Sequence, residues 1–162
     1  MKKYNDPLAL GRADPYIYKH TDGYYYFTAT YPAYDRICIR RAKTINGLTD
    51  AEEKVIWRKH ETGVMASHIW APELHYIDGK WYIYFAAGEH ENIWEIRPYV
   101  LECADADPIG GTWTEMGMMQ ALTPPDENTI NGYDRYSFTD FSLDMTTFEH
   151  RGRRYCIWAE KV

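Results

Sequence analysis

Three imperfect copies of one pattern run along this chain, and each joins an acidic residue to an aromatic β-hairpin arm. They read ADPYIYKHTDGYYYFTAT from Ala13, APELHYIDGKWYIYFAAG from Ala71 and SLDMTTFEHRGRRYCIWAE from Ser142. Aligned on Gly23, Gly79 and Gly152, the copies bring Tyr26, Tyr82 and Tyr155 to one common offset. A repeat of hairpins at such spacing constrains the fold more than any single motif, because each unit exposes an apolar face that only a neighbouring unit can cover. The expectation is an all-β chain built of propeller blades.

Turn chemistry supports the reading. Asp22-Gly23 and Asp78-Gly79 separate alternating runs, the strongest short signal for a hairpin. In the first unit, strands are predicted over 15–19, 24–30, 36–41 and 54–58, with a loop or one helical turn over 44–53. The second repeats the order over 73–77, 81–87, 95–103 and 112–116, with Trp57 and Trp113 expected on equivalent fourth strands. The third supplies two strands, over 143–149 and 155–160. The stretch between Met116 and Tyr136 is rich in Pro, Asn, Asp and Gly and reads as an inter-blade loop. Blade units are thus expected at about 13–58, 70–116 and, incompletely, 141–162: a single partial propeller domain of two and a half blades.

The 162 residues carry 18 basic against 24 acidic side chains, a formal charge of −6 that argues against a nucleic-acid partner. Fifteen Tyr and six Trp suit both half-buried strands and sugar-stacking surfaces, so composition does not separate these uses. Cys38, Cys103 and Cys156 are odd in number and lie in strand-like stretches, which favours reduced thiols over a disulfide framework. The first residues, MKKYNDPLALGRADP, contain no apolar stretch of leader type, and no run long enough to cross a membrane occurs. A cytoplasmic location with no membrane partner is the expectation.

The innermost strand of a blade lines the central channel, so an acidic residue at its start projects toward the place where blades converge. Asp14 lies nine residues before Gly23 and Asp144 eight before Gly152, equivalent positions to within one residue of turn length. Two carboxylates aimed at one funnel is the pattern of acid–base chemistry, although an Asp-Pro step is also a common turn device, and Asp144 could simply cap the backbone at Thr146-Thr147. Trp70 could plug the channel wall or offer its indole face to a sugar ring. His68 and His75, seven apart with no third ligand clustered nearby, are weak evidence for a metal, and none is expected; core or hydrogen-bonding roles suit them better. The Tyr24–Phe27 and Trp81–Phe85 runs read as blade packing, and Arg151, Arg153 and Arg154 as a solvated hairpin tip.

On GRADPYIY around Asp14, HIWAPELHYIDGKWYIYFAAG from His68 and the third copy from Ser142, the chain resembles glycoside hydrolase family 43 over nearly its whole length. The likeness is greatest to the α-L-arabinofuranosidase branch. The resemblance implies a five-bladed propeller and an inverting hydrolysis of terminal α-L-arabinofuranosyl, or β-xylosyl, links in plant polysaccharides without a cofactor. It matches Asp14 to the general base that activates water. Asp144 is matched to the aspartate that orients the catalytic acid and keeps it protonated, because a nearby anion disfavours a second negative charge. Trp70, His68 and Phe141 are the expected sugar-binding side chains. The family's general acid is a glutamate on a fourth blade, and no residue here matches it; neither Glu160 nor Glu73 takes that place. The isolated chain is therefore expected to be nearly inactive. An open blade edge further leads to the expectation of a homodimer or a complementary C-terminal half. A non-catalytic carbohydrate-binding or assembly module is the alternative, and a fructan-cleaving propeller is disfavoured by Ala13-Asp14-Pro15-Tyr16 at the first-blade motif.

Overall fold

The computed structural model describes residues 3–119, 129–130, 133–134 and 141–161. Its first sheet is an antiparallel meander of β1 (Ala13–Lys19), β2 (Tyr25–Thr30), β3 (Arg36–Ala42) and β4 (Lys54–Arg58), in that order across the sheet. A second meander follows from β5 (Ser67–Ile77), β6 (Lys80–Gly88), β7 (Arg97–Cys103) and β8 (Thr114–Met118). Two short strands, β9 (Thr129–Ile130) and β10 (Tyr133–Asp134), form a ladder within the stretch read from sequence as an inter-blade loop; the rest of that loop beyond Met119 lies outside the described residues. The third arm is the hairpin of β11 (Ser142–His150) and β12 (Arg153–Glu160). The helical turn foreseen over 44–53 is a single 3₁₀ turn, Asn46–Leu48.

The repeat governs the turns. Asp78-Gly79 and Arg151-Gly152 are two-residue connections with positive φ at both positions, at 49° and 87° and at 51° and 72°. This is the geometry whose twist matches paired strands. The first arm instead uses a longer loop between Lys19 and Tyr25, in which the Asp22 carboxylate accepts from the Tyr24 amide and the Tyr26 hydroxyl.

Most strand boundaries shift by one or two residues from the sequence reading, and three of the shifts bear on the repeat. β5 begins six residues earlier than foreseen, because left-handed residues at His68 (φ 48°) and Ala71 (φ 45°) break the apolar alternation without ending the pairing. β7 starts at Arg97 because Glu95 and Ile96 are still folded in a turn, their amides donating to the Asn92 and Trp94 carbonyls. β8 starts at Thr114, so Trp113 sits just ahead of the strand while Trp57 lies within β4.

The principal core lies between the two sheets. Tyr26, Ile37 and Ile39 of the first meet Ile69, Leu74, Trp81, Ile83, Phe85 and Leu101 of the second. Trp81 is completely enclosed, its ring 4.9 Å from Tyr26 and 4.8 Å from Tyr76, and its indole N–H donates to the Ala106 carbonyl at 3.2 Å. An indole buried this way stabilises by roughly 4–6 kcal/mol on area alone, about 150–250 Å² at about 25 cal/mol/Å². The third arm packs on the second sheet through Met145 against Tyr84 and Val100. The Ser142 amide also donates to the Ile96 carbonyl, beside a parallel bridge between Ile96 and Phe141. Packing thus claims the aromatic arms of the first two copies. In the third, Tyr155 stacks on Phe148 on an exposed face that no described element covers.

Candidate active site

Each innermost strand carries one misfit residue at the same place. The register of β1 on β2 slips between Ala13 and Tyr16, that of β5 on β6 between Trp70 and Glu73, and that of β11 on β12 between Leu143 and Thr146. The residue that opens each slip is left-handed: Asp14 at φ 50°, Ala71 at 45° and Asp144 at 54°. A β-bulge re-aims a side chain out of the pleat. Holding a non-glycine residue there costs of order 1 kcal/mol or more, which the surrounding pairing must bear. Thus the acidic residues of the first and third copies share one backbone setting. Glu73, the acidic residue of the second copy, does not; it lies two residues further on, and the counterpart of the aspartates is Ala71.

The bulges bring Asp14 and Asp144 together. Both line a hollow of about 230 Å³ whose walls include Thr30, Tyr34 and Trp70. Both also line a second hollow of about 170 Å³ with Tyr16, Ala71 and Glu73. Arg12, just before Asp14, is anchored by Glu53 at 2.6 Å and lies over the Tyr31 ring, which fixes the approach to the first bulge.

The two aspartates sit in different fields. Asp14 Oδ2 accepts a 2.7 Å hydrogen bond from the Thr30 hydroxyl, and the Ala71 amide donates to Thr30 Oγ1 at 2.8 Å. Asp144 receives no such bond among the described residues, and its carboxyl is pushed above the usual 3.8 by desolvation first and then by the negative charges of Asp14 and Glu73. One carboxylate able to lift a proton from water, beside another that disfavours further negative charge, is a workable acid–base arrangement.

Behind them runs a polar chain. His75 Nε2 faces Glu73 Oε2 at 3.1 Å, and the Tyr16 hydroxyl reaches His75 Nδ1 at 3.5 Å. Burial, helped by Glu73, pushes the Tyr16 phenol up to about 12, so it remains a donor. This chain places His75 in a hydrogen-bonding role.

Of the residues expected to bind sugar, Trp70 lines the hollow. His68 stands behind it, 4.4 Å from the Trp70 ring, its Nδ1–H donating to the Ile93 carbonyl at 2.6 Å and its ring stacked on Trp94 at 4.6 Å. Phe141 is half-buried where the third arm joins the second sheet and is not among the residues that line either hollow. The sequence reading passed over Thr30, Tyr34 and Trp94. Thr30 was findable: seven residues past each aligned glycine stand Thr30, Ala86 and Ala159. Tyr34 and Trp94 lie outside the repeated segments and gave no signal.

No cluster that could hold a metal occurs among the described residues. The three cysteines are free; Cys38 and Cys103 are buried and Cys156 partly so, and burial pushes the Cys38 thiol up to about 11.

Four-stranded antiparallel meanders in succession, each led by an inner strand that carries a bulge, define a class, the β-propeller folds. The sequence model of glycosyl hydrolases family 43 matches residues 4–162, and the chain belongs to that family. It is 54% identical over 158 residues to an extracellular exo-α-(1→5)-L-arabinofuranosidase of Streptomyces avermitilis, covering 98% of this chain and 30% of that protein. A protein of the same description from Streptomyces chartreusis is also 54% identical, with 97% of this chain and 43% of the relative covered. The solved α-L-arabinofuranosidase of Lactobacillus brevis superposes with a TM-score of 0.81 at 48% identity, over 98% of this chain and 47% of its own. The described sheets are thus blades of the family's five-bladed propeller, and the chain spans under half the length of these relatives.

A larger hollow of about 420 Å³, between Lys3, Tyr4, Tyr25 and Lys43, holds no carboxylate and offers nothing to this chemistry. The expectation of a cytoplasmic location is overturned, since both Streptomyces relatives are extracellular proteins. Buried thiols stay reduced through packing in any compartment, and the first residues of this chain carry no evidence of the whole protein's address.

Proposed function

We propose that these residues form the base-bearing part of a secreted, inverting α-L-arabinofuranosidase that acts on arabinose-containing polysaccharide. Asp14 is the general base: it removes a proton from the water that attacks the anomeric carbon. Asp144 orients the acid and disfavours its ionisation; its own carboxyl is raised first by desolvation and then by the charges of Asp14 and Glu73. Trp70 backs the furanose ring, with His68 holding the indole in place. The proton donor comes from outside these 162 residues, as do the remaining walls of the sugar site. The blade units are 13–58, 70–116 and 141–162, and the exposed face at Phe148, Tyr155 and Ile157 takes the next blade or a second copy.

The observation that carries this reading is the pair of aspartates on matching bulges facing one hollow. It is tested by co-expressing the chain with the remaining blades of the Lactobacillus brevis enzyme and measuring arabinose released from 1,5-linked arabino-oligosaccharides. Turnover is expected only in the assembled protein, and Asp14→Asn should lower kcat by roughly 10²- to 10⁴-fold, the usual worth of a general base. Full turnover by Asp14→Asn would remove the assignment. Sugar binding without turnover in the assembled protein would favour a carbohydrate-binding module.

A further inference from the structure

The first arm differs from the other two at one inward residue. Strand pairing places Thr30 opposite Ala13, Ala86 opposite Trp70 and Ala159 opposite Leu143, in each case beside the bulge. A threonine therefore stands only where the bulge carries Asp14. It is buried, 3% exposed, and both functions of its hydroxyl are committed. The Ala71 amide can only donate, so Thr30 Oγ1 is its acceptor at 2.8 Å. An ionised carboxylate can only accept, so the hydroxyl proton goes to Asp14 Oδ2 at 2.7 Å. The direction of the chain is fixed at both ends. Its far end is the second sheet's own bulge, which has an alanine where the first and third have carboxylates.

We propose that Thr30 is a positioning residue for the general base: braced by the Ala71 amide, it holds Asp14 Oδ2 and leaves Oδ1 as the oxygen that takes the water's proton. This rests on the reading of Asp14 as base. In the step, Oδ1 accepts one proton from water while the water oxygen bonds to the anomeric carbon and the glycosidic C–O bond breaks. With an ordinary sugar leaving group, the departing oxygen takes a proton from the acid outside these residues; with a dinitrophenyl group it leaves as the phenolate. The brace crosses between sheets, so Asp14 becomes rigid only when the first two blades are packed together. The left-handed turn at Ala71 leaves that residue's amide free to supply the brace.

The test compares wild type, Thr30→Ser, Thr30→Val and Asp14→Asn in the 162-residue chain. Two readouts are taken: three-bond couplings that report the Asp14 χ1 rotamer, and hydrolysis of 2,4-dinitrophenyl α-L-arabinofuranoside, which needs no acid. Wild type and Thr30→Ser should show a single Asp14 rotamer, and Thr30→Val an averaged one. On the aryl substrate Thr30→Val should lose about 10- to 100-fold in kcat with KM changed less than about twofold, as expected for a misaimed base, and Thr30→Ser should recover it. If Thr30→Val does not fold, Thr30→Ala, with room for a water, takes its place. An averaged rotamer in wild type overturns the proposal, as does a single rotamer in the folded valine or alanine variant; unchanged kcat in either variant does the same. If the chain alone does not turn over the aryl substrate, the couplings decide. If Asp14→Asn is as active as wild type, the base assignment falls, and the couplings still judge the brace separately.

Discussion

The first and third arms share a frame and differ in what they do with it. Each puts a left-handed aspartate into a β-bulge on the inner strand, seven residues before the start of a turn. Across the strand pair, however, Asp14 meets Thr30 and the brace to Ala71, whereas the matching position near Asp144 is Ala159. One carboxylate is tied by a hydroxyl; the other is bare among the described residues and is pushed toward its neutral form. The comparison teaches that the repeat sets where a carboxylate points, and that a single cross-strand side chain then decides its company. A second contrast separates the second arm from the third. The second is enclosed on both faces, the third on one, although the turns that build them are alike.

The largest expected effect tests that enclosure. Trp81→Ala should destabilise the chain by about 3–5 kcal/mol, the usual cost of emptying a fully packed aromatic site. Tyr155→Ala, one position from its counterpart in the third arm, should cost below about 1 kcal/mol, because that ring stacks on Phe148 in contact with solvent. Urea unfolding of the two variants measures the difference. Equal losses would mean that the third arm's outer face is as well packed as the core between the sheets.

Strand order and hairpins were legible in the sequence because Asp-Gly turns and period-two alternation are local signals. The equivalence of Tyr26, Tyr82 and Tyr155 was legible too: they sit at matching places in the strand pairing, two residues before the partners of Tyr16, Glu73 and Thr146. The bulges were not legible. A left-handed alanine at position 71 carries no compositional mark, and its effect was to hide half of β5 and to make Glu73 look like the second copy's acid. The Tyr34 wall of the hollow and the His68–Trp94 stack behind Trp70 were equally hidden, since those contacts join residues 34, 68 and 94 from outside the repeated segments. Location was misread because the chain's opening residues could not report on it.

A middle-sized effect comes from transplanting the difference between the arms. Ala159→Thr should give Asp144 the hydroxyl donor that Asp14 has, lowering its pKa toward the ordinary carboxylate value because a hydrogen bond to the anion favours ionisation. Carbon NMR of the side-chain carboxyl follows the titration directly. No movement would show that the two bulges are alike in backbone only. Ala71→Gly probes the bulge itself: relief of left-handed strain outweighs the entropy of an extra glycine by about 0.5 kcal/mol, so the variant should be slightly more stable in guanidinium unfolding. A loss of stability would mean that the Ala71 methyl group contributes more by packing than its backbone costs.

The smallest expected effect isolates the field at Asp144. Its folded-state pKa is raised above the usual 3.8, so the folded chain holds this proton to higher pH than the unfolded chain does. Stability contributed by that group is therefore intact at low pH and declines as pH rises from the unfolded value through the raised folded one. Asp144→Asn removes the charge and with it the decline. Asparagine also tolerates the left-handed backbone well, which adds an offset independent of pH, so the informative quantity is the change with pH and not the Tm at one pH. Because the carboxyl is partly open to solvent, the gain of the variant over wild type should grow by only roughly 1–3 °C between pH 3 and pH 7. A gain that stays constant would place the whole effect in the backbone, and one that shrinks with rising pH would show Asp144 to be stabilised as an anion, which would erase the contrast with Asp14.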